Sequence, residues 1–186
     1  MRAIILAAGL GRRMMPLTEH VHKTLLTIGN QPIIDRLIRG LRENGIVRIT
    51  IVTGYRAEEL ESYILRHFPE LEFSFVRNEL YESTNNIHSL ALAFEQLDFS
   101  EDIILLESDL IYEPAVLRRL IDSKHDNVAV VDHYRIGLDG TVVAVSESKV
   151  VTQVIPASLQ GPSFDFSDKY KTLNIYKFSA EFCRTT

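Results

Sequence analysis

The chain has 186 residues, 46% hydrophobic and 24% charged, enough for one sizeable core and close to the globular average, which excludes disorder and collagen-like order. A net charge of −5 argues against a nucleic-acid footprint, so phosphate binding has to rest on a few placed cations. The single cysteine, Cys183, leaves no internal disulfide or zinc cluster. No apolar run is long enough to span a bilayer, and Arg12 and Arg13 follow the short stretch Ala3 to Leu10 on the wrong side for a secretory signal, so the protein reads as cytoplasmic.

In chain order, Ala3 to Leu6 is an apolar run ended by glycines, which suits a buried parallel strand feeding a loop. Pro32 to Glu43 carries Ile33, Ile34, Leu37, Ile38 and Leu41 at helical spacing, with Pro32 tolerated in the first turn and Gly45 closing the helix. Val47 to Val52 is a β-branched strand. Ala57 to Phe68 is a second helix, Leu71 to Val76 a third strand, and Asn86 to Leu97 a third helix with Thr84, Asn85 and Asn86 as capping candidates. Asp102 to Leu106 is a fourth strand and Pro114 to Ile121 a fourth helix. Repeated β-α units of this length imply an α/β fold with a mostly parallel, right-handed sheet. After residue 126 the pattern changes. Val128 to Val131, Thr141 to Val145, Val150 to Ile155 and Thr172 to Phe178 read as strands broken by glycine and proline, a small hairpin-rich insertion. The expectation is a single domain over 1–186, with parts 1–126 and 127–186.

The segment from Leu6 to Thr18, LAAGLGRRMMPLT, concentrates the chemistry. A strand ends, small residues let main-chain N–H groups approach a ligand, and Arg12 and Arg13 bring guanidinium forks to the same place, as a triphosphate requires. Leu6, Ala7, Ala8, Gly9, Gly11 and Arg12 are therefore placed at a nucleotide. A plain tight turn with two solvated arginines would explain a bare G-x-G, but not this accumulation with Lys23 downstream. A P-loop is absent, and the dinucleotide fingerprint fails where Met14 stands at its third glycine.

This run, followed by HKTLLTIGNQPIID, resembles the signature of the nucleotide-diphospho-sugar transferase superfamily, L-A-A-G-x-G-x-R-[ML]-x-P-L-T and then P-K-x-L-x-x-[IV]-x-x-x-P-[IL]. The resemblance implies that fold, a Rossmann-like sheet with an acceptor-side insertion. It makes Arg13 the family arginine and Lys23 the lysine that reaches the phosphates. His22 stands where the pattern has proline.

Polar residues crowd the next junction, Asn78 to Tyr81 and then Ser83 to Leu90. A helix start offers unpaired N–H groups, and Asn and Ser side chains can read a base edge. A helix cap explains one of these residues, not four. The stretch is similar to the N-N-I-[YH]-S-L pattern of cytidylyltransferases acting on phosphocholine, aminoethylphosphonate and related acceptors, which favours CTP and puts Asn86 and Ser89 near base or ribose. His88 alone in a helix is more often structural. Cytosine would be told from uracil by main-chain groups near Ala7 and Ala8, with Ser89 opposite. Farther on, Leu105 to Tyr112 reads as a buried strand ending in two carboxylates, with Glu107 and Asp109 on one face. A divalent cation on phosphate oxygens needs one or two such groups, and Asp109 matches the family's Mg²⁺-binding aspartate. Late in the chain, the segment Asp139 to Val143 and the run YKTLNIYKF look like the acceptor side, the latter resembling a stretch of phosphonate cytidylyltransferases, with Asp139, Lys171 and Asn174 as the candidates. Strand alternation puts Thr172, Asn174 and Tyr176 on one face.

The expected reaction is Mg²⁺-dependent transfer of CMP from CTP to a small phosphonate or phosphorylated alcohol, with release of pyrophosphate. Arg13 and Lys23 are the catalytic cations, and the partners are these two substrates, with neither nucleic acid nor membrane. A sugar-1-phosphate enzyme using UTP or dTTP, and a non-catalytic nucleotide-binding module, stay open. So do the oligomeric state and a fused or partner enzyme domain. The chain stops soon after its last strand, where the resemblance implies a further segment with a second metal-binding aspartate.

Overall fold

The computed structural model describes residues 1–98 and 100–185. Its elements are β1 (Arg2–Leu6), β2 (Thr27–Ile28), β3 (Gln31–Pro32), α1 (Ile33–Glu43), β4 (Arg48–Thr53), α2 (Ala57–His67), β5 (Glu72–Arg77), α3 (Asn86–Gln96), β6 (Ile103–Glu107), α4 (Pro114–Ile121), β7 (Val128–His133), β8 (Val142–Val145), β9 (Val151–Ile155), β10 (Lys169–Phe178) and α5 (Ala180–Thr185). Two compact units are built from them: Met1 to Val128 with the chain from Tyr176 onward, and Ala129–Ile175. The last residues of the chain thus return to the first unit.

In the first unit the strand order is β5-β4-β1-β6, with β10 following β6. β1 pairs in parallel with β4, from Ala3 opposite Ile49 to Leu6 opposite Val52, and with β6, from Arg2 opposite Ile103 to Leu6 opposite Glu107. β4 and β5 are also parallel. The chain thus moves outward from β1 to β4 and β5, then crosses back to β6 on the other side. That reversal leaves a crevice at the carboxyl ends of β1 and β6, the place where open α/β sheets take ligands.

The core follows from the sequence periods. Ala3, Ile4, Ile5, Ile49, Ile51, Val52 and Ile103 to Leu106 are buried, as strands covered on both faces require. The α1 stripe Ile33, Ile34, Leu37, Ile38 and Leu41 is buried throughout. Asn85 caps α3 through Oδ1, which accepts from the amides of Ile87 (3.0 Å) and His88 (3.3 Å). Leu90, Leu92 and Phe94 of that helix pack on Ile4, Leu6, Val76 and Leu105. Pro114 opens α4, where its missing N–H has no helical partner to lose.

The second unit is antiparallel. β8 pairs with β10, from Lys169 opposite Ala144 to Lys171 opposite Val142, and with β9, with an irregularity between Ala144 and Val145. β10 begins at Lys169, three residues before the expected Thr172, and its alternation is interrupted. Asn174 has φ +56°, and both Thr172 and Ile175 are buried around it. Thr172, Asn174 and Tyr176 therefore do not form one continuous face: a left-handed residue flips the period, which asparagine tolerates better than most side chains. Among the described residues no helix is long and apolar enough to cross a membrane.

Candidate functional site

The glycine-rich loop leaves β1 at the crevice and is held from several sides. The amide of Ala7 donates to the Val52 carbonyl (2.8 Å), extending the ladder by one residue, and the Ala8 carbonyl accepts from the Tyr55 amide (2.9 Å). Thr18 Oγ1 donates to the Gly11 carbonyl (3.0 Å). Gly11 has φ +66°, and a Cβ there would lie 3.0 Å from Lys23 Cβ and 3.1 Å from Thr18 Cγ2. Glycine is required at this position by both conformation and space. A Cβ on Gly9 would meet nothing within 4 Å, so the loop has open space over it. Arg12 and Arg13 follow in a short 3₁₀ turn with exposed side chains.

Lys23 starts a second 3₁₀ turn, Lys23–Leu25. Its stem lies against Gly11, and its Nζ donates to Asp109 Oδ2 at 3.0 Å. The turn after β6 and the lysine turn are thereby joined at the mouth of the loop. The expected cation and the expected metal ligand thus face each other, although 86 residues apart in sequence.

His22, just before that lysine, is fully buried. Its Nε2 lies 2.9 Å from the Ala7 carbonyl, and its Nδ1 lies 3.2 Å from the Thr24 amide and 2.8 Å from Thr24 Oγ1. A carbonyl only accepts and an amide only donates, so Nε2 carries the proton and Nδ1 accepts: the ring is a neutral imidazole of one tautomer. Burial is the main cause that lowers its pKa to about 4, and the nearby Lys23 charge adds to the effect. Its main-chain amide donates to Glu59 Oε2 (3.1 Å). In sequence, His22 stands out only as a departure from a pattern. Its partner Ala7 is fifteen positions away.

One expectation changes here. β6 ends at Glu107, and Ser108 and Asp109 lie in the following turn. Glu107 and Asp109 therefore do not share a strand face, because the strand stops before alternation can relate them. Glu107 Oε1 instead accepts from Asn86 Nδ2 (2.7 Å), tying the start of α3 to the end of β6. Several of the groups expected to read a base edge already have partners within the protein. Both main-chain groups of Ala7 are bonded as described. Ser89 is 3% exposed, and its hydroxyl accepts from Asn78 Nδ2 (3.0 Å), which also reaches Thr84 Oγ1 (3.0 Å). Asn78 Oδ1 takes the Leu80 amide, so Ser89 and Asn78 organise the turn that leads into α3. Asn86 is exposed at the start of that helix.

Two further residues support the loop without having been singled out. Gly54 lets β4 approach it: a Cβ there would sit 2.8 Å from both the Ala8 carbonyl oxygen and Tyr81 Cβ. Tyr55 donates its hydroxyl toward the Thr18 and Glu19 carbonyls. In the second unit, Lys171 Nζ donates to the Thr172 carbonyl (2.8 Å). Thr172 Oγ1 lies 3.2 Å from Asn174 Oδ1 and 3.1 Å from the Thr141 carbonyl. Lys171 and Asn174 are thus gathered around Thr172, and Lys171 also lies beside Gly140, next to the exposed Asp139.

The chain is similar to known proteins both in sequence and in fold. The chain is 31% identical over 183 residues to the CMP-5'-(3-aminopropyl)phosphonate synthase of Streptomyces rubellomurinus, covering 98% of this chain and 29% of that protein. It is 39% identical over 111 residues to the choline-phosphate cytidylyltransferase of Haemophilus influenzae, covering 60% of this chain and 45% of that protein. The matched regions thus span less than half the length of these two relatives. The structure of the inositol-1-phosphate CTP transferase from T. maritima superposes with a TM-score of 0.77 at 21% identity, over 100% of this chain and 73% of that one, a likeness of fold. The family model of the MobA-like NTP transferase domain matches residues 3–156. A match that starts in the first strand and runs through most of the chain makes this protein a member of the MobA-like NTP transferase family, nucleotidyltransferases of the fold its N-terminal motif implies.

Proposed function

We propose that the protein transfers CMP from CTP to a small phosphonate or phosphorylated alcohol and releases pyrophosphate. The observation that carries this reading is the Lys23–Asp109 pair at 3.0 Å, set where the glycine-rich loop opens at the switch point of the sheet. The names of the relatives, a phosphonate CMP synthase and a choline-phosphate cytidylyltransferase, favour CTP and this acceptor class.

The acceptor's phosphate or phosphonate oxygen attacks the α-phosphorus in line. One P–O bond forms as the bond to pyrophosphate breaks. The attacking oxygen is already ionised at neutral pH, so no general base is needed. The barrier lies in bringing two anions together, which fixed positive charge from Lys23 and Arg13 relieves. Small residues in the loop let its amides approach the phosphates.

The residues suit a divalent cation of one kind. Among the described residues no three His, Cys, Asp or Glu side chains gather into a metal cage. Asp109 offers one carboxylate, already faced by the Lys23 ammonium, which fits Mg²⁺ completed by phosphate oxygens and water. When bound, Mg²⁺ would supply further neutralisation of the phosphates.

The test is a pyrophosphate-release screen pairing CTP, UTP, dTTP and ATP with phosphocholine, 2-aminoethylphosphonate, 2-hydroxyethylphosphonate, inositol phosphate and sugar phosphates. Release with CTP and a phosphonate or phosphocholine supports the reading. Release only with UTP or dTTP and a sugar phosphate moves the chain to the sugar-nucleotide branch. Nucleotide binding without any release makes it a binding module.

A further inference from the structure

The family pattern places proline directly before the phosphate-reaching lysine. Proline at that position would restrict φ and offer neither an N–H nor a side-chain hydrogen bond. His22 does something different. Its main-chain amide, which proline lacks, donates to Glu59 Oε2 (3.1 Å). One nitrogen of its ring takes the Thr24 amide (3.2 Å), and the other holds the Ala7 carbonyl (2.9 Å). One side chain therefore spans two segments: the loop that follows β1 and the turn that presents Lys23. The ring is fully buried, out of contact with any ligand in the open space over Gly9.

We propose that His22 is a positioning residue for nucleotide binding, its ring fixing the Lys23 turn to the glycine-rich loop through the Ala7 carbonyl. The inference rests on reading that loop as the nucleotide site. Residue type matters in a specific way. Glutamine can place an amide N–H where Nε2 stands and so reach Ala7. Asparagine can place an oxygen where Nδ1 stands and so keep the Thr24 contact, but it cannot reach Ala7. The two substitutions separate the link between segments from the local cap.

The experiment uses the full chain and its His22→Gln, His22→Asn and His22→Ala variants. The CTP dissociation constant is read with Mg²⁺ by calorimetry, alongside KM for CTP, KM for the acceptor and the melting temperature. Loss of one positioning hydrogen bond predicts CTP binding about ten-fold weaker in His22→Ala and His22→Asn, with recovery to within about three-fold of wild type in His22→Gln. KM for the acceptor should move far less than KM for CTP, a split that general loosening of the fold would not produce. Thr24→Val replaces the hydroxyl beside Nδ1 by a methyl group and leaves the Ala7 bond in place, so CTP binding should stay within about three-fold of wild type, and it serves if His22→Asn does not fold. Wild-type CTP affinity in folded His22→Asn, or a loss of about ten-fold in Thr24→Val where that variant stands in, overturns the proposal. Equal impairment of His22→Gln and His22→Asn does so as well. A wild-type chain that binds no NTP overturns the nucleotide-site reading itself, which is a separate and recognisable result.

Discussion

Removing the ammonium of Lys23 takes away the proposed phosphate ligand and also the partner of Asp109 Oδ2. The two side chains are 13% and 31% exposed, and at such partial exposure an ion pair contributes only about 0–1 kcal/mol to stability. Lys23→Ala should therefore fold normally yet bind CTP more weakly and turn over roughly 10²–10³ more slowly. Urea unfolding and steady-state kinetics on the same preparation check both halves, and unchanged kinetics would take Lys23 out of the site. Asp109→Asn keeps the shape and loses the charge that a hard cation needs. Its pyrophosphate release should stay absent at every Mg²⁺ concentration. Wild-type rates restored by excess Mg²⁺ would remove Asp109 from a metal-binding role. His22 titrates differently from either. Its pKa falls from 6.5 to about 4 on folding, so the unfolded chain binds a proton more readily than the folded one. Stability from the neutral ring is fully present above about pH 6.5 and is lost as pH falls toward 4, by roughly 3 kcal/mol in all. Urea midpoints between pH 7.5 and 4.5 should drop less steeply in His22→Gln than in wild type. Parallel curves would mean that the ring is not held neutral.

The glycine-rich loop separates two demands that look alike in sequence. Gly11→Ala puts a side chain at φ +66° and into Lys23 and Thr18, which should destabilise by about 1–3 kcal/mol. Gly9→Ala meets nothing within 4 Å and should change stability by no more than about 0.5 kcal/mol. Its methyl group would occupy the open space over the loop, so its effect should appear in CTP titrations. Most of the elements were legible, because each repeats a strong local period: α1 through its stripe, α3 through the cap at Asn85, the inner strands through continuous apolar runs; the two-residue strands β2 and β3 and the helix α5 after the last strand were too short to show one. What escaped depends on contacts distant in the chain or on a single dihedral angle. Alternation could not show that β6 stops at Glu107, since a polar residue after an apolar run reads equally as strand or turn. The flip at Asn174 comes from one backbone angle that its neighbours do not announce. Ser89 resembled a ligand-facing polar residue because its partner Asn78 lies eleven positions earlier. The motif residues Gly11, Lys23 and Asp109 were legible through resemblance. Their meeting through space was not, because no local rule joins positions 86 apart.

At the scale of the whole molecule, a ligand that binds only the folded state stabilises it by mass action, about 2.7 kcal/mol at one hundred times its dissociation constant. Melting scans with Mg²⁺ and equal concentrations of CTP or UTP should therefore show the larger upward shift with CTP. An equal or larger shift with UTP would favour the sugar-nucleotide branch. The anchoring of the loop has a consequence for how any such ligand is received. Val52 holds the Ala7 amide, His22 the Ala7 carbonyl, Tyr55 the Ala8 carbonyl and Thr18 the Gly11 carbonyl. A segment tethered at these points has already given up its conformational freedom during folding. Binding then does not have to order it, and the affinity that flexible loops lose to ordering is retained. For a nucleotide bound as proposed, the loop would be a rigid socket and not a closing lid, so hydrogen exchange at the Ala7 amide should be slow in the free protein and little changed by nucleotide.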